Sequence, residues 1–311
     1  MKHFFIVNRA SGKKGTHDAL VEKINSFCLQ QELDYEVRFT EYPSHAKWIV
    51  KSELAKKAGA IRFYACGGDG TVNEVASGLV GENSAELAVI PVGTGNDFVR
   101  SFTPSGSFMS IEHQINGESI RVDTVSAGES IFINMLNVGF DSAVVATISC
   151  LRDKTSLMRG KLAYIFGLII NLFKMPKTTL SCEFDDGEKI EGEFLLSAFS
   201  NGQYYGGGFK AASLASASDG MLDVIFVRPC SRLVFLSLVS KYKNGTLLED
   251  KRSEKYVIYK KCSSLKAAFS KESAVCVDGE LVGMHEFDIE IIPSSLNFSL
   301  PSERKVVYEN N

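Results

Sequence analysis

The strongest constraint on this chain is a pair of apolar runs that both stop at glycine. Residues 61–66, IRFYAC, lead into Gly67-Gly68-Asp69-Gly70, and residues 87–91, LAVIP, lead into Gly93-Thr94-Gly95-Asn96-Asp97. Each run reads as a buried strand, and residues 72–79 after the first turn have helical spacing. Gly67, Gly68 and Gly70 suit a turn that needs positive φ or close backbone approach, and Asp69 or Thr71 suits a cap on the helix that follows. A strand that ends in glycines at a helix N-terminus offers free N–H groups and a positive dipole end, which is a phosphate site. Asp69 is the odd member, because a carboxylate repels phosphate. A cation such as Mg²⁺ beside it is therefore expected.

The chain around these turns alternates strand and helix. Residues 4–7 read as a strand followed by the turn NRASGKKG (residues 8–15), where Lys13 and Lys14 sit beside the expected phosphate site. Residues 16–30 read as a helix, residues 34–40 as a strand, and residues 45–57 as a helix capped by Ser44. Such alternation at short spacing predicts a parallel sheet with ligands at the carboxyl ends of its strands. From about residue 119 the rhythm changes. A hairpin through Ala127-Gly128 joins strands at 119–125 and 130–138, and a long helical stretch occupies 141–175. Short strands separated by turns then run to residue 292. That pattern predicts a mainly antiparallel sandwich or barrel. The expected division is an α/β nucleotide-binding domain at 1–125 and a β-rich domain at 126–293.

Composition closes off several alternatives. A net charge of −3 gives no basic field for nucleic acid. The seven cysteines are odd in number and form no CxxC pair, as in a cytosolic protein with reduced thiols. No signal peptide is evident, and no apolar stretch reaches the ~20 residues that span a bilayer. Residues 158–175 combine Tyr164, Ile165, Phe166, Leu168, Ile169 and Phe173 with Arg159, Lys161 and Lys174. Core burial is the expectation for that segment, and contact with a membrane headgroup boundary is the alternative.

With GGDGTVNEV at 67–75 and PVGTGNDF at 91–98, the chain resembles the diacylglycerol kinase catalytic-domain family, in particular its soluble bacterial lipid kinases. RVDTV (121–125), NVGFDS (137–142), GGGFK (206–210), SDGMLDV (218–224) and VDGE (277–280) follow in the family's order, so the resemblance runs nearly the whole length. It implies an α/β domain like that of NAD kinases and phosphofructokinases, followed by a β-rich domain, with the final segment 294–311 returning to the first. It implies an ATP- and Mg²⁺-dependent kinase of diacylglycerol or a related lipid, at work in phospholipid metabolism at a membrane surface. A homodimer stays open beside a monomer.

The resemblance also implies roles. Asn8, Ser11, Gly12, Thr40, Gly67, Gly68, Asp69, Gly70, Thr71, Asn73 and Thr94 line the nucleotide. Asp69, Asp97 and Asp123 form the acidic network around Mg²⁺. Asp278 and Glu280 occupy the catalytic-base position. Asp219, with the carbonyls of Ser216 and Met221, matches a structural Mg²⁺ site. Two departures stand out. The first loop reads Asn8-Arg9 where the family has Asn-Pro, and residues 214–218 lack the usual proline and second acid. Taken alone, residues 277–280 are simply a hairpin turn, and Asp69 and Asp97 are plain cap residues. Two further readings remain: a kinase of a soluble metabolite such as NAD⁺, and a nucleotide-binding regulator without catalysis.

Overall fold

The structure is a computed structural model, and it describes residues 1–12, 15–57, 59–102, 107–154 and 161–302. Lys13, Lys14, Met158, Arg159 and the tail at 305–311 lie outside the described residues. The chain divides into two units, Met1–Val122 with Ser294–Asn311, and Asp123–Pro293.

The first unit alternates β1 (Lys2–Val7), α1 (Thr16–Gln30), β2 (Tyr35–Phe39), α2 (His45–Leu54), β3 (Ile61–Gly67), α3 (Asp69–Leu79) and β4 (Ala85–Pro91). A short α4 (Ile111–Ile115) follows. Strands β2, β1, β3 and β4 lie side by side in that order, all parallel. The segment around Phe298 adds to β4 in the same sense, Phe298 opposite Leu87. Every residue of β3 is buried, the pattern of a parallel strand covered on both faces. Leu20, Ile24 and Cys28, four residues apart, bury one stripe of α1. The register sets Val7 opposite both Phe39 and Cys66, and Gly67 opposite Pro91. The loops after all four strands therefore start at one level.

Two local expectations change here. Helix α2 begins at His45, but the Ser44 side chain does not cap it. The Glu74 carboxylate of α3 accepts the N–H groups of Ser44 (2.9 Å) and Ala46 (3.0 Å) and caps it from outside. Gly68 is the N-cap of α3, again without a side-chain cap bond from Asp69 or Thr71.

The second unit takes over within β5 (Glu118–Ala127), which pairs with β6 (Ser130–Phe132). After β7 (Met135–Gly139) come α5 (Phe140–Lys154) and α6 (Lys161–Lys174), two helices where one long stretch was expected. Then follow β8 (Thr178–Phe184), β9 (Lys189–Phe194), β10 (Leu196–Ser200), β11 (Leu222–Val227) and α7 (Arg232–Asn244). The last strands are β12 (Val257–Cys262), β13 (Ser264–Val277) and β14 (Glu280–Leu300). The pairings β5–β6, β7–β10, β10–β11, β11–β12, β8–β9, β8–β13, β7–β13 and β13–β14 are antiparallel.

Strand β13 is what folds this sheet over. Its first half pairs with β8 and its last three residues with β7, with an irregularity between Ala268 and Ser273 in its ladder to β14. A strand that bends at such a bulge serves both layers of a sandwich. The period of two is plain in β11, where Leu222, Val224 and Phe226 enter the core between the layers. Ile225 and Val227 face a second core with Phe140 of α5 and with Phe235, Leu238 and Tyr242 of α7. The unit boundary falls at Val122, earlier than residue 125. Asp123 already belongs to the second unit, since its N–H donates to Ala217 O at 2.7 Å.

Candidate active site

In the first unit the site is made of backbone. A Cβ on Gly93 would lie 2.4 Å from the Gly68 Cα, so the two glycine loops touch main chain to main chain. The Gly67 carbonyl accepts the N–H groups of both Val92 and Gly93 at 3.1 Å and fixes that contact. A Cβ on Gly67 would fall 2.2 Å from Thr71 Oγ1. Positive φ is not the reason for these glycines. Gly68 has φ −99°, and the left-handed positions among the described residues of these loops are Gly12 (74°), Gly15 (85°) and Asn96 (54°). Close approach, the other property of glycine, governs Gly67 and Gly93, whereas a Cβ on Gly68 would meet the Gly93 Cα only at 3.5 Å. Gly12 combines both, since its Cβ would meet Val92 O at 2.4 Å.

The side chains brace this backbone. Asn8 Nδ2 donates to Thr71 Oγ1 (3.0 Å), and Asn8 Oδ1 accepts the Ala10 N–H (2.9 Å). Ser11 donates its hydroxyl to the Asn8 carbonyl (2.8 Å), and the Thr40 N–H donates to Val7 O (3.0 Å). Asn73 is half-buried in the first turns of α3, and Thr94 is exposed. The Asp69 carboxylate crosses to the second loop and accepts the N–H groups of Asn96 and Asp97, both at 2.7 Å. Asp97 is buried, with Arg100 Nε at 3.6 Å. Asp69 and Asp97 converge on Gly95, whose added Cβ would stand 2.4 Å from Asp69 Oδ2 and 3.5 Å from Asp97 Oδ2.

In the second unit the candidate residues are held by a side-chain network. Asp278 (φ 45°) and Gly279 (φ 94°) form the two-residue turn between β13 and β14, with Val277 opposite Glu280. Positive φ at both positions is the type I′ hairpin geometry. The turn aims the Asp278 carboxylate at three N–H groups, Ile133 (2.9 Å), Asn134 (3.2 Å) and Met135 (2.8 Å). These bonds explain why the expected strand 130–138 is broken, for the donors between β6 and β7 serve a carboxylate instead of a ladder. Glu280 is exposed.

Asn201 ties Asp123 into the same network. Its Nδ2 donates to the carbonyls of Asp123 (3.0 Å) and Ile133 (2.7 Å), and its N–H donates to Asn134 O (2.8 Å). The Asp123 carboxylate, on a residue 1% exposed, accepts the Gly220 N–H at 2.8 Å. Asp219 Oδ1 accepts the Met221 N–H at 3.1 Å, and Asp219 Oδ2 lies 2.7 Å from the Lys261 ammonium. Lys261 also stands 3.3 Å from the buried Asp223, whose carboxyl is raised above its ordinary value by burial. Ser216 Oγ sits 3.4 Å from Ser218 Oγ.

The structure thus gathers the expected residues into two sets. Asn8, Ser11, Gly12, Gly67, Gly68, Asp69, Thr71 and Asp97 form one in the first unit. Asp123, Asp219 and Asp278 are linked within the second. Asn96, Glu74, Asn134 and Asn201 were not expected. Asn96 lay in view within the second glycine turn, but nothing in the spacing marks Asn201.

Comparisons with known proteins fit this division. Residues 2–127 match the family described as diacylglycerol kinase catalytic domain. Residues 134–299 match the YegS C-terminal NAD kinase beta sandwich-like domain. The diacylglycerol kinase of Bacillus subtilis (strain 168) is 29% identical over 257 residues, 80% of this chain and 82% of that protein. The protein named Probable lipid kinase YegS of Escherichia coli O17:K52:H18 (strain UMN026 / ExPEC) is 29% identical over 299 residues, 93% of this chain and 94% of that one. A crystal structure of a candidate diacylglycerol kinase from Bacillus anthracis str. Sterne superposes with a TM-score of 0.76. It is 25% identical and covers 96% of this chain and 94% of that one.

Proposed function

Because this chain belongs to the lipid kinase family that joins a diacylglycerol kinase catalytic domain to a YegS-type C-terminal domain, we propose that it transfers the γ-phosphoryl group of ATP to the hydroxyl of diacylglycerol or a related lipid. The observation that carries the nucleotide half is the main-chain contact of Gly68 with Gly93 at the carboxyl ends of adjacent parallel strands. It sets the glycine turns at the start of α3, whose first N–H groups have no partner within the helix, which is what a triphosphate needs. Asn8, Ser11, Gly12, Thr40, Gly67, Gly68, Gly70, Thr71, Asn73 and Thr94 then line the nucleotide.

Asp69 and Asp97 fit a divalent cation. Their Oδ2 atoms converge beside Gly95, 2.4 and 3.5 Å from the point where a Cβ would stand. Among the described residues no group of three or more acidic, His or Cys side chains could hold a metal alone. Phosphate oxygens and water would complete the shell, as is usual for Mg²⁺. Bound there, Mg²⁺ would offset the phosphate charge that the two carboxylates would otherwise repel. Asp219 fits a metal poorly, for a cation, the Lys261 ammonium, already stands 2.7 Å from one of its oxygens. No step is assigned to that position.

Asp278 takes the acceptor side. Its carboxylate, fixed by three N–H groups, accepts the lipid hydroxyl's hydrogen bond and orients that hydroxyl. Asp123 is held in the same network through Asn201, and the exposed Glu280 is the alternative base. Positioning and electrostatics supply most of the rate in phosphoryl transfer. The test is incubation with γ-labelled ATP and Mg²⁺ in three arms: diacylglycerol in mixed micelles, a panel of other lipid alcohols, and NAD⁺. Labelled phospholipid is expected. Label on NAD⁺ alone would assign a soluble-metabolite kinase, and bound but unconsumed ATP in every arm would assign a regulator.

A further inference from the structure

Helix α6 is apolar around most of its circumference, and only part of it is covered. On one side Gly167 packs against α5 so closely that an added Cβ would meet Ile148 at 3.1 Å and Val144 at 3.3 Å. Asn171, 2% exposed, donates to Ala143 O (3.2 Å) and Thr147 Oγ1 (2.9 Å), while Leu168, Leu172 and Met175 join the core beneath. At ~100° per residue the other side carries Ile165, Phe166, Ile169 and Phe173 within one ~100° arc. All four are exposed, Phe173 by 69%. The Arg232 guanidinium donates to Phe173 O at 2.9 Å and brings the start of α7 to the end of α6. There Leu233, 81% exposed, and Leu236 extend the apolar surface.

The two segments that carry this surface hold charge of one sign. Neither 161–177 nor 228–248 contains an aspartate or glutamate, whereas Lys174, Arg228 and Arg232 are exposed. Large side chains that stand out from helices carrying cations and no acids match an anionic bilayer, where apolar groups enter the headgroup boundary and cations meet lipid phosphates. A water-exposed face of this kind is otherwise rare on a soluble monomer.

We propose that the outer face of α6 and the start of α7 form the surface on which this protein sits on anionic phospholipid membrane. The proposal rests on the lipid-kinase reading and adds where the enzyme meets the bilayer that holds its substrate. No described helix is long and apolar enough to cross a membrane, so the contact is peripheral.

The test compares sedimentation with phosphatidylglycerol–phosphatidylcholine vesicles and with phosphatidylcholine vesicles alone. Wild type is expected to pellet with the anionic vesicles and weakly with the neutral ones. Phe173→Gln with Leu233→Gln should weaken binding to anionic vesicles by about tenfold or more. Lys174→Glu with Arg232→Gln should weaken it by about tenfold, since Gln can keep the bond to Phe173 O. Both double variants should keep wild-type turnover on a water-soluble short-chain diacylglycerol without vesicles, which also shows that they fold. If no acceptor is phosphorylated by any form, the kinase reading fails, and the vesicle result still decides the surface. Wild type that stays in the supernatant, or variants that pellet unchanged, would overturn the proposal. So would a solution dimer that the Gln pair turns into a monomer while vesicle binding persists, for the face would then join two copies of this chain.

Discussion

The two units hold their candidate residues by different means. Around Gly68 and Gly93 the first unit removes side chains so that main chain meets main chain, and a single carboxylate, Asp69, accepts the N–H groups of Asn96 and Asp97 beside that contact. Around Asp278 the second unit relies on side chains throughout, those of Asp278 and Asn201 gathering the backbone of residues 133–135. A site made of absent side chains tolerates no added atom. One made of side-chain hydrogen bonds can be loosened one bond at a time, and that difference orders the expected effects.

The largest effect should come from Asp278. Asp278→Asn is expected to lower turnover by about 10²–10⁴-fold, measured by single-turnover transfer. It should also destabilise the second unit by about 1–3 kcal/mol, since the new amide would face the Ile133 N–H. Glu280→Gln, at an exposed position, should leave turnover within a few fold, and a collapse there would exchange the two roles. Next comes Gly93→Ala. Its methyl group would overlap the Gly68 Cα, so the loops must part, and overpacking of this kind costs about 1–3 kcal/mol. Mg·ATP affinity should drop about tenfold or more while the second unit's amide protection holds. Equal affinity would break the contrast.

Asn201→Ala removes two side-chain hydrogen bonds and leaves the carbonyls of Asp123 and Ile133 without that donor. A loss of about 1–3 kcal/mol in chemical denaturation is expected, with nucleotide affinity unchanged. Acidity should separate the units by sign. Burial, aided by the nearby Arg62 charge, lowers the His3 imidazole from 6.5 to about 4. The unfolded chain therefore binds a proton that the native state refuses, and the first unit loses stability as pH falls from about 6.5 toward 4. Burial raises the Asp141 carboxyl from 3.8 to about 7, against a hydrogen bond from Tyr242. Here the native state keeps a proton that the unfolded chain loses, so the second unit loses stability as pH rises from about 4 to 7. Hydrogen exchange resolved by unit should show opposite slopes, flattened by His3→Gln and Asp141→Asn respectively. The smallest effect concerns Asp219. With Lys261 already beside its carboxylate, thermal melts of wild type and Asp219→Ala should respond alike to Mg²⁺.

What was legible in the sequence follows the same line. Glycines after apolar runs are local signals, so the parallel sheet, its loops and the placement of Asp69 could be read directly. The reason for the glycines could not, because positive φ and close approach both select glycine, and only the meeting of Gly68 with Gly93, distant in sequence, separates them. The β-rich fold was visible as a rhythm of short strands. The break at residues 133–134 was not, since it depends on a carboxylate some 145 positions away. Asn201 and Lys261 carry no local pattern at all. The exposed face of α6 was open to misreading, as an apolar helix looks the same in sequence whether one side or both are covered.

The central claim is a division of labour, nucleotide held by the first unit's backbone and acceptor chemistry carried by Asp278 in the second. Calorimetric titration of Mg·ATP into the Asp278→Asn protein tests it most directly. The expected result is a Kd within about threefold of wild type, a difference below ~1 kcal/mol, in a protein whose turnover has collapsed. Loss of Mg·ATP binding in that variant, with the fold intact by circular dichroism, would contradict the account.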